Sequence, residues 1–248
     1  MEPVSRFALA GGAAVLAGAV NAIAGGGSLL TFPALVAAGL PVVTASVTNT
    51  VALCPGYIGA TWAQRRQLAG QSPRARLVVP VGILGGAAGA LLLLRTGDAL
   101  FGRVVPFLIL LAVALLAAQD FLRARLRSRS GSSAWVALPL LLAGIYGGYF
   151  GAGLGVMILA ALAVAFDDSL TRLNALKQAV SLAVNLAAAA LFVFSGHVDW
   201  PLAAAMCAGS LLGGLLGGHL ASRIPSRVLR WIIVALGTAL AIYYLVRS

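Results

Sequence analysis

The chain holds a single lysine, Lys177, and it lies inside an apolar run. Asn174, Lys177, Gln178, Ser181 and Asn185 are spaced i, i+3, i+4, i+7 and i+11, which puts them on one face of a helix. An ammonium flanked by amide and hydroxyl donors can hold a small anion. The competing reading is that Lys177 snorkels to the membrane interface. Glycine supplies the second candidate chemistry. Residues 25–28 read Gly-Gly-Gly-Ser and residues 151–153 read Gly-Ala-Gly. Gly25, Gly26 and Gly151 should break a helix, and a helix restarting at Ser28 or Leu154 exposes unpaired N–H groups at its positive dipole end. Such an end suits an anion. The expected donors are the backbone N–H groups of Gly27, Ser28 and Leu29 and of Gly153, Leu154 and Gly155, with the Ser28 hydroxyl beside them. Close helix packing is the rival role for these glycines.

Other polar residues rank lower. Thr48, Asn49 and Ala52 form the face of the first half that matches the Lys177 face, so the site would be charged on one side only. Asn21 precedes the first glycine run and could orient it. Asp167 and Asp168 read as N-terminal caps of the helix that follows. His197 and Asp199 belong to a solvated loop, and His219 to interfacial packing. Cys54 and Cys207 sit in apolar runs without a CxxC pattern or a neighbouring histidine, so they read as core fillers and no metal site or cofactor is expected. No aspartate or glutamate stands out at membrane depth, which leaves a coupling proton or ion unassigned.

The elements that position these groups follow from composition. Of 248 residues, 61% are hydrophobic and 9% charged, and mean hydropathy is +1.01. Soluble domains carry about 25% charged residues. A soluble enzyme, a disordered chain and a secreted disulfide scaffold are therefore excluded, and an all-α polytopic membrane protein remains. The net charge of +11 comes from sixteen arginines and Lys177 against six acids. The arginines cluster in breaks between apolar runs, as at 65–76 and 123–130, which marks loops on the cytoplasmic side. No basic stretch is interleaved with aromatics, so nucleic acid is not an expected partner. Met1 to Ala24 could pass for a signal peptide, but Glu2 offsets Arg6, and the segment has a counterpart deep in the chain.

That counterpart belongs to an internal repeat. Leu16-Ala17-Gly18 recurs as Leu142-Ala143-Gly144, Gly25 and Gly27 as Gly151 and Gly153, Asn49 as Asn174, and Gly85-Gly86 with Gly89 as Gly213-Gly214 with Gly217. For the last six glycines, helix packing is the preferred role. The expected organisation is a first membrane repeat over 1–122, a basic cytoplasmic linker over 123–133 and a second repeat over 134–248, together one transmembrane domain. Each repeat should hold a glycine-broken helical hairpin plus three transmembrane helices, near 44–63, 77–95 and 103–121 and near 172–194, 200–221 and 228–246. The pieces after the glycines have about 12 residues, or roughly 20 Å of helix, short of the ~30 Å hydrocarbon core.

Charge selects the topology. If each broken segment crosses once, ten basic residues lie inside and seven outside; if each returns to its own side, thirteen lie inside. The positive-inside rule prefers returning hairpins. A hairpin plus three crossings is an odd number of passes, so the two repeats should be inverted, a recurrent arrangement in secondary transporters. Trp62, Trp135, Trp200 and Trp231 fall near segment ends, where an aromatic belt places them.

Taken together, the glycine break followed by Pro33, the Thr48-Asn49-Thr50 element, Asn174 with Lys177, the Val198-Asp199-Trp200 turn, the GGxxG helices and the Arg-Ile-Pro-Ser-Arg turn at 223–227 resemble the sulfite exporter TauE/SafE family of bacterial permeases. The resemblance runs from about residue 8 to 246. It implies a multi-pass protein of the bacterial inner membrane that moves sulfite, sulfonates or related small anions. The expected function is a secondary transporter working by alternating access; an anion channel with the same site and a non-transporting membrane scaffold are the alternatives. Partners are the small anionic substrate and the lipid bilayer, with the oligomeric state open. No nucleotide-binding motif is present, and no catalytic set of residues points to an enzyme.

Overall fold

A computed structural model describes residues 3–23, 25–119, 121, 136–220 and 226–247. The basic linker at 123–133, Trp135 and most of the 223–227 turn fall outside the described residues. Every regular element among those described is a helix: α1 (Pro3–Ile23), α2 (Ser28–Ala37), α3 (Val42–Ala63), α4 (Arg65–Leu68), α5 (Ser72–Ala117), α6 (Ala137–Tyr149), α7 (Leu154–Ala165), α8 (Leu170–Phe192), α9 (Trp200–Leu220) and α10 (Ser226–Arg247). The breaks fall where the glycines put them, and α2 and α7 restart at Ser28 and Leu154. At 10 and 12 residues these two are about 15 and 18 Å long, half the thickness of a bilayer core. Helices α1, α5, α8 and α9 hold stretches long and apolar enough to cross a membrane.

Helix α5 comprises two limbs. Gly97 adopts φ 72° and ψ 163°, which no helix tolerates. Without a turn, the 23 residues from Gly85 to Leu108 would span about 35 Å. Instead both meet α6: a Cβ on Gly85 would touch the Leu141 carbonyl and Gly144, and the Leu108 carbonyl accepts from the Tyr146 hydroxyl at 3.3 Å. The limbs match the expected segments 77–95 and 103–121.

Glycine sets which helices lie side by side. A Cβ on Gly213 would sit 2.0 Å from the Val15 carbonyl oxygen, and one on Gly217 2.5 Å from Ala19 Cα. One on Gly85 would lie 2.7 Å from the Leu141 oxygen, and one on Gly89 2.0 Å from the Ile145 oxygen. Helix α1 therefore runs parallel to α9 in backbone contact, and α6 parallel to the first limb of α5. Gly86 and Gly214 bring α8 and α3 equally close, against the Val184 and Gly56 carbonyls. These six glycines pack helices, as expected. The exposed side chains are the large apolar ones, such as Leu84, Phe107, Leu142 and Leu216; a chain whose solvent is lipid has no reason to hide them.

Hydrogen bonds fix the two ends of the bundle. At one face, Asp98 accepts from the Val43 N–H at 2.9 Å, and the Thr48 hydroxyl accepts from the Asp199 N–H at 3.0 Å. At the other, which carries Arg65, Arg66, Arg74, Arg76 and Arg172 and is termed the basic face, Arg74 pairs with Asp168 and stacks on the Phe166 ring. The loops at 64–74 and 166–172 thus share a face. Just under the other face lies an aromatic cluster: Phe32, Phe101, Phe150 and Tyr149 pack edge to face with centroids 5.3–6.4 Å apart.

Candidate functional site between the helix breaks

Both breaks begin with the same device. Gly25, at φ 87°, donates its N–H to the Val20 carbonyl at 2.9 Å. Gly151, at φ 82°, donates to Tyr146 at 3.2 Å. In each, a left-handed glycine ends the helix and its N–H satisfies one of the free end carbonyls five residues back. Each break is then braced by a polar side chain of the helix before it. Asn21 Oδ1 accepts from the Gly27 N–H at 2.7 Å. The Tyr146 hydroxyl donates to the Ala152 carbonyl at 2.7 Å. The two breaks touch: a Cβ on Gly25 would lie 3.0 Å from Gly155 Cα, and one on Gly155 2.9 Å from Gly25 Cα and 3.4 Å from Lys177 Cδ. Gly27 lies against the α1 backbone, its Cβ position 2.3 Å from the Ala17 oxygen.

Lys177 lies beside that junction. It is 1% exposed and its Nζ donates to the Asn21 carbonyl at 3.3 Å, so it does not snorkel. Gln178 Nε2 donates to the same carbonyl at 3.0 Å. Asn174 Nδ2 donates to the Ala22 carbonyl at 3.3 Å and to Gln64 Oε1 at 2.8 Å. The last four carbonyls of any helix lack partners within it, and the broken end of α1 carries the negative dipole pole. The polar face of α8 serves that end. An ammonium has three donors, and the Asn21 carbonyl accepts from one. Gln178 Oε1 and Ser181 Oγ, deeper on the same face, are buried without a protein partner, as is Asn49 Oδ1.

The site differs from the expectation in its donors. Of the six backbone N–H groups expected to face an anion, Gly27 donates to Asn21, Leu29 to the Gly26 carbonyl at 3.1 Å and Leu154 to the Gly151 carbonyl at 3.2 Å. Ser28 is buried, and Gly155 is buried at the junction. Thr48 is engaged by Asp199 in the loop before α9. Asn21, ranked low from sequence, is the hub: its side chain holds one half-helix and its carbonyl the Lys177 face. The sequence signal was a lone amide in an apolar run six residues before Gly27. Gln64, the partner of Asn174, had no signal at all.

Toward the basic face the polar column continues. Gln71 Nε2 donates to the Arg172 carbonyl at 3.0 Å and Arg172 Nη1 to the Ala69 carbonyl at 3.2 Å. Asp168 Oδ2 accepts from both Arg74 and Arg172 Nε. The helix-capping role expected of Asp167 and Asp168 falls instead to Ser169, whose hydroxyl accepts from the Arg172 N–H; two arginines draw Asp168 away. Partial burial alone would raise the Asp168 pKa, but hydrogen bonds from Arg172 and Arg74 outweigh it and hold the carboxyl below its usual range. His197 is exposed, and His219 is exposed with its ring on the Leu215 carbonyl. Cys54 is buried with its thiol on the Thr50 carbonyl.

This architecture of apolar helices, paired breaks and a buried cation is that of a multi-pass membrane transporter. The family model described as sulfite exporter TauE/SafE matches residues 10–244, so the chain belongs to that family, a family of membrane transporters and not of enzymes. A "Probable membrane transporter protein" of Haemophilus influenzae is 31% identical over 203 residues, covering 78% of this chain and 76% of that protein. "Probable membrane transporter protein YfcA" of Escherichia coli K12 is 29% identical, covering 80% and 74%. "Probable membrane transporter protein ORF9" of a Sinorhizobium species is 29% identical, covering 93% and 88%. No solved structure matches the chain significantly.

Proposed function

We propose that the protein is a secondary transporter of the bacterial inner membrane for small anions, sulfite or organosulfonates, and that the anion binds where the two breaks meet. The observation that carries this reading is a lysine 1% exposed at a junction of two half-helices. Burying an ammonium in a bilayer is costly, and such residues mark substrate pathways. The Asn21 carbonyl accepts from the ammonium as a neutral dipole; an anion at the junction would bring a full negative charge to it. Lys177 supplies the charge, Gln178 and Asn174 supply amide donors, and Ser28 and Gly155 lie at the start of the half-helices. Gly25, Gly27 and Gly153 let backbones approach, Gly26 and Gly151 belong to the breaks themselves, and Leu29 and Leu154 lie in the first turns. Asn49 of α3 is a further buried amide proposed for the site.

The same reading takes the two repeats as inverted. Contacts that pair α1 with α9 recur between α6 and α5 at positions related by 126 and 128 residues, which supports a two-fold relation. The hairpins end at opposite faces, α2 near Asp98 and α7 near Arg74, which supports an axis in the membrane plane. Alternating access then moves the site between faces. Proteoliposomes loaded with sulfite, a sulfonate, sulfate or a carboxylate test this. Saturable flux of one of them, accelerated by the same anion on the far side, is the expected result. Absence of flux for all of them would overturn the assignment, and flux without trans-acceleration would make the protein a channel.

A further inference from the structure

Between Lys177 and the basic face lies a run of buried amides that are only partly paired. Gln71 is 1% exposed and Gln64 5%. Gln64 Nε2, Gln67 Oε1, Gln71 Oε1 and Gln178 Oε1 are buried without protein partners. Buried polar atoms in native proteins are ordinarily paired, and each orphan in a dry core is destabilising. Four orphans on neighbouring amides, continuous from Gln71 through Gln64 and Asn174 to the Lys177 level, are what a path wetted in another conformation leaves behind when it closes. The glutamines also come from the first half, 64–71, and meet the second-half helix α8 along that line.

One cluster seals the end of this column. Asp168 Oδ2 accepts from Arg74 of the first half and Arg172 of the second. Arg172 also grips the Ala69 carbonyl, and Gln71 grips the Arg172 carbonyl. An isolated surface ion pair would be worth little. Here three cross-contacts, one of them to a carboxylate oxygen shared by two arginines, tie the 64–74 segment to the 166–172 segment at the end of the amide run. We propose that the amide column is the substrate's access path from the basic face and that Asp168, with Arg74 and Arg172, is the latch that closes it. The inference rests on the transport reading above. When the latch opens, the two guanidinium groups line the mouth and draw in an anion, and the amides replace part of its hydration on the way to Lys177.

The test uses the full chain in membranes, with Cys54→Ala and Cys207→Ala and a reporter at Gln64→Cys. A small charged methanethiosulfonate reagent is added from the basic face, and the labelling rate is read by mass shift. With the latch intact, labelling is slow; with Asp168→Asn it rises at least fivefold. Arg74→Gln, which loosens the same latch from the other half, raises it too. Asp168→Glu, which keeps a carboxylate for both arginines, holds the slow rate. A reporter at the lipid-facing Leu84→Cys responds to none of these. Equal Gln64→Cys rates with and without the latch, in protein that remains monodisperse, would overturn the proposal. Labelling needs no substrate, so the two readings fail separately. A responsive reporter in a protein that carries no anion refutes the anion site and keeps the latch. A silent reporter in a protein that carries sulfite does the reverse.

Discussion

Replacing Lys177 by methionine tests the centre of the site. Methionine fills the volume of the lysine stem beside Gly155, where Cδ lies 3.4 Å from the Cβ position, and removes only the charge and its donors. The Asn21 carbonyl loses one donor at 3.3 Å but keeps Gln178 at 3.0 Å, so that carbonyl is not orphaned. Removing a buried cation also removes its desolvation cost. Thermal stability in detergent should therefore hold within a few degrees or rise. Transport should not hold. A hydrogen bond to a charged group contributes about 1.5–3 kcal/mol, and each ~1.4 kcal/mol is tenfold in an equilibrium constant. Lys177→Met should raise the half-saturating anion concentration by about ten- to a hundredfold in proteoliposomes. Lys177→Arg should recover part of it, because the charge returns but the planar fork does not fit the same seat. Unchanged half-saturation in a stable Lys177→Met protein would refute the role of the ammonium and leave Lys177 as a cap for the end of α1.

Other expectations follow from single contacts. Asn21→Ala removes the acceptor of the buried Gly27 N–H and should cost about 1–3 kcal/mol, read as a lower melting temperature, with Asn21→Asp recovering part. Gly89→Ala puts a Cβ 2.0 Å from the Ile145 oxygen and should destabilise by about 1–3 kcal/mol or more, whereas Gly12→Ala meets nothing within 4 Å and should be neutral or stabilising by up to about 1 kcal/mol; detergent melting compares the two. Asp168 is held below its ordinary pKa, so its stabilising contribution is complete above about pH 4 and is lost as pH falls further. The melting difference between the native chain and Asp168→Asn should thus be constant from pH 8 to 5 and shrink below 4; a difference that vanishes already at pH 6 would refute the ion-pair account.

Local chemistry was legible in the sequence where it depends on neighbours along the chain. Helix stops at Gly25 and Gly151, restarts at Ser28 and Leu154, and the polar stripe from Asn174 to Asn185 need only a few consecutive residues. The sharing of one face by 65–76 and 172 followed from charge counting. Partnerships across the chain were not legible. Asn21 finds Lys177 at a separation of 156 residues, and no periodicity announces that. Asp168 looked like a cap because Asp before a helix ordinarily is one; Arg74, 94 residues away, changes its role. The half-helix N–H groups looked available because neither the Asn21 carboxamide nor the turn carbonyls of Gly26 and Gly151 could be placed without coordinates.

The glycine contacts have a mechanical consequence. Where a carbonyl oxygen occupies the space a methyl group would need, two helices are in effect welded, and they can only move as one beam. The welds join α1 and α3 to α9, and α6 and α8 to the first limb of α5, so each beam takes struts from both halves of the sequence. Rocking motions should therefore divide the molecule along the beams and not between the two halves that the sequence repeat suggests.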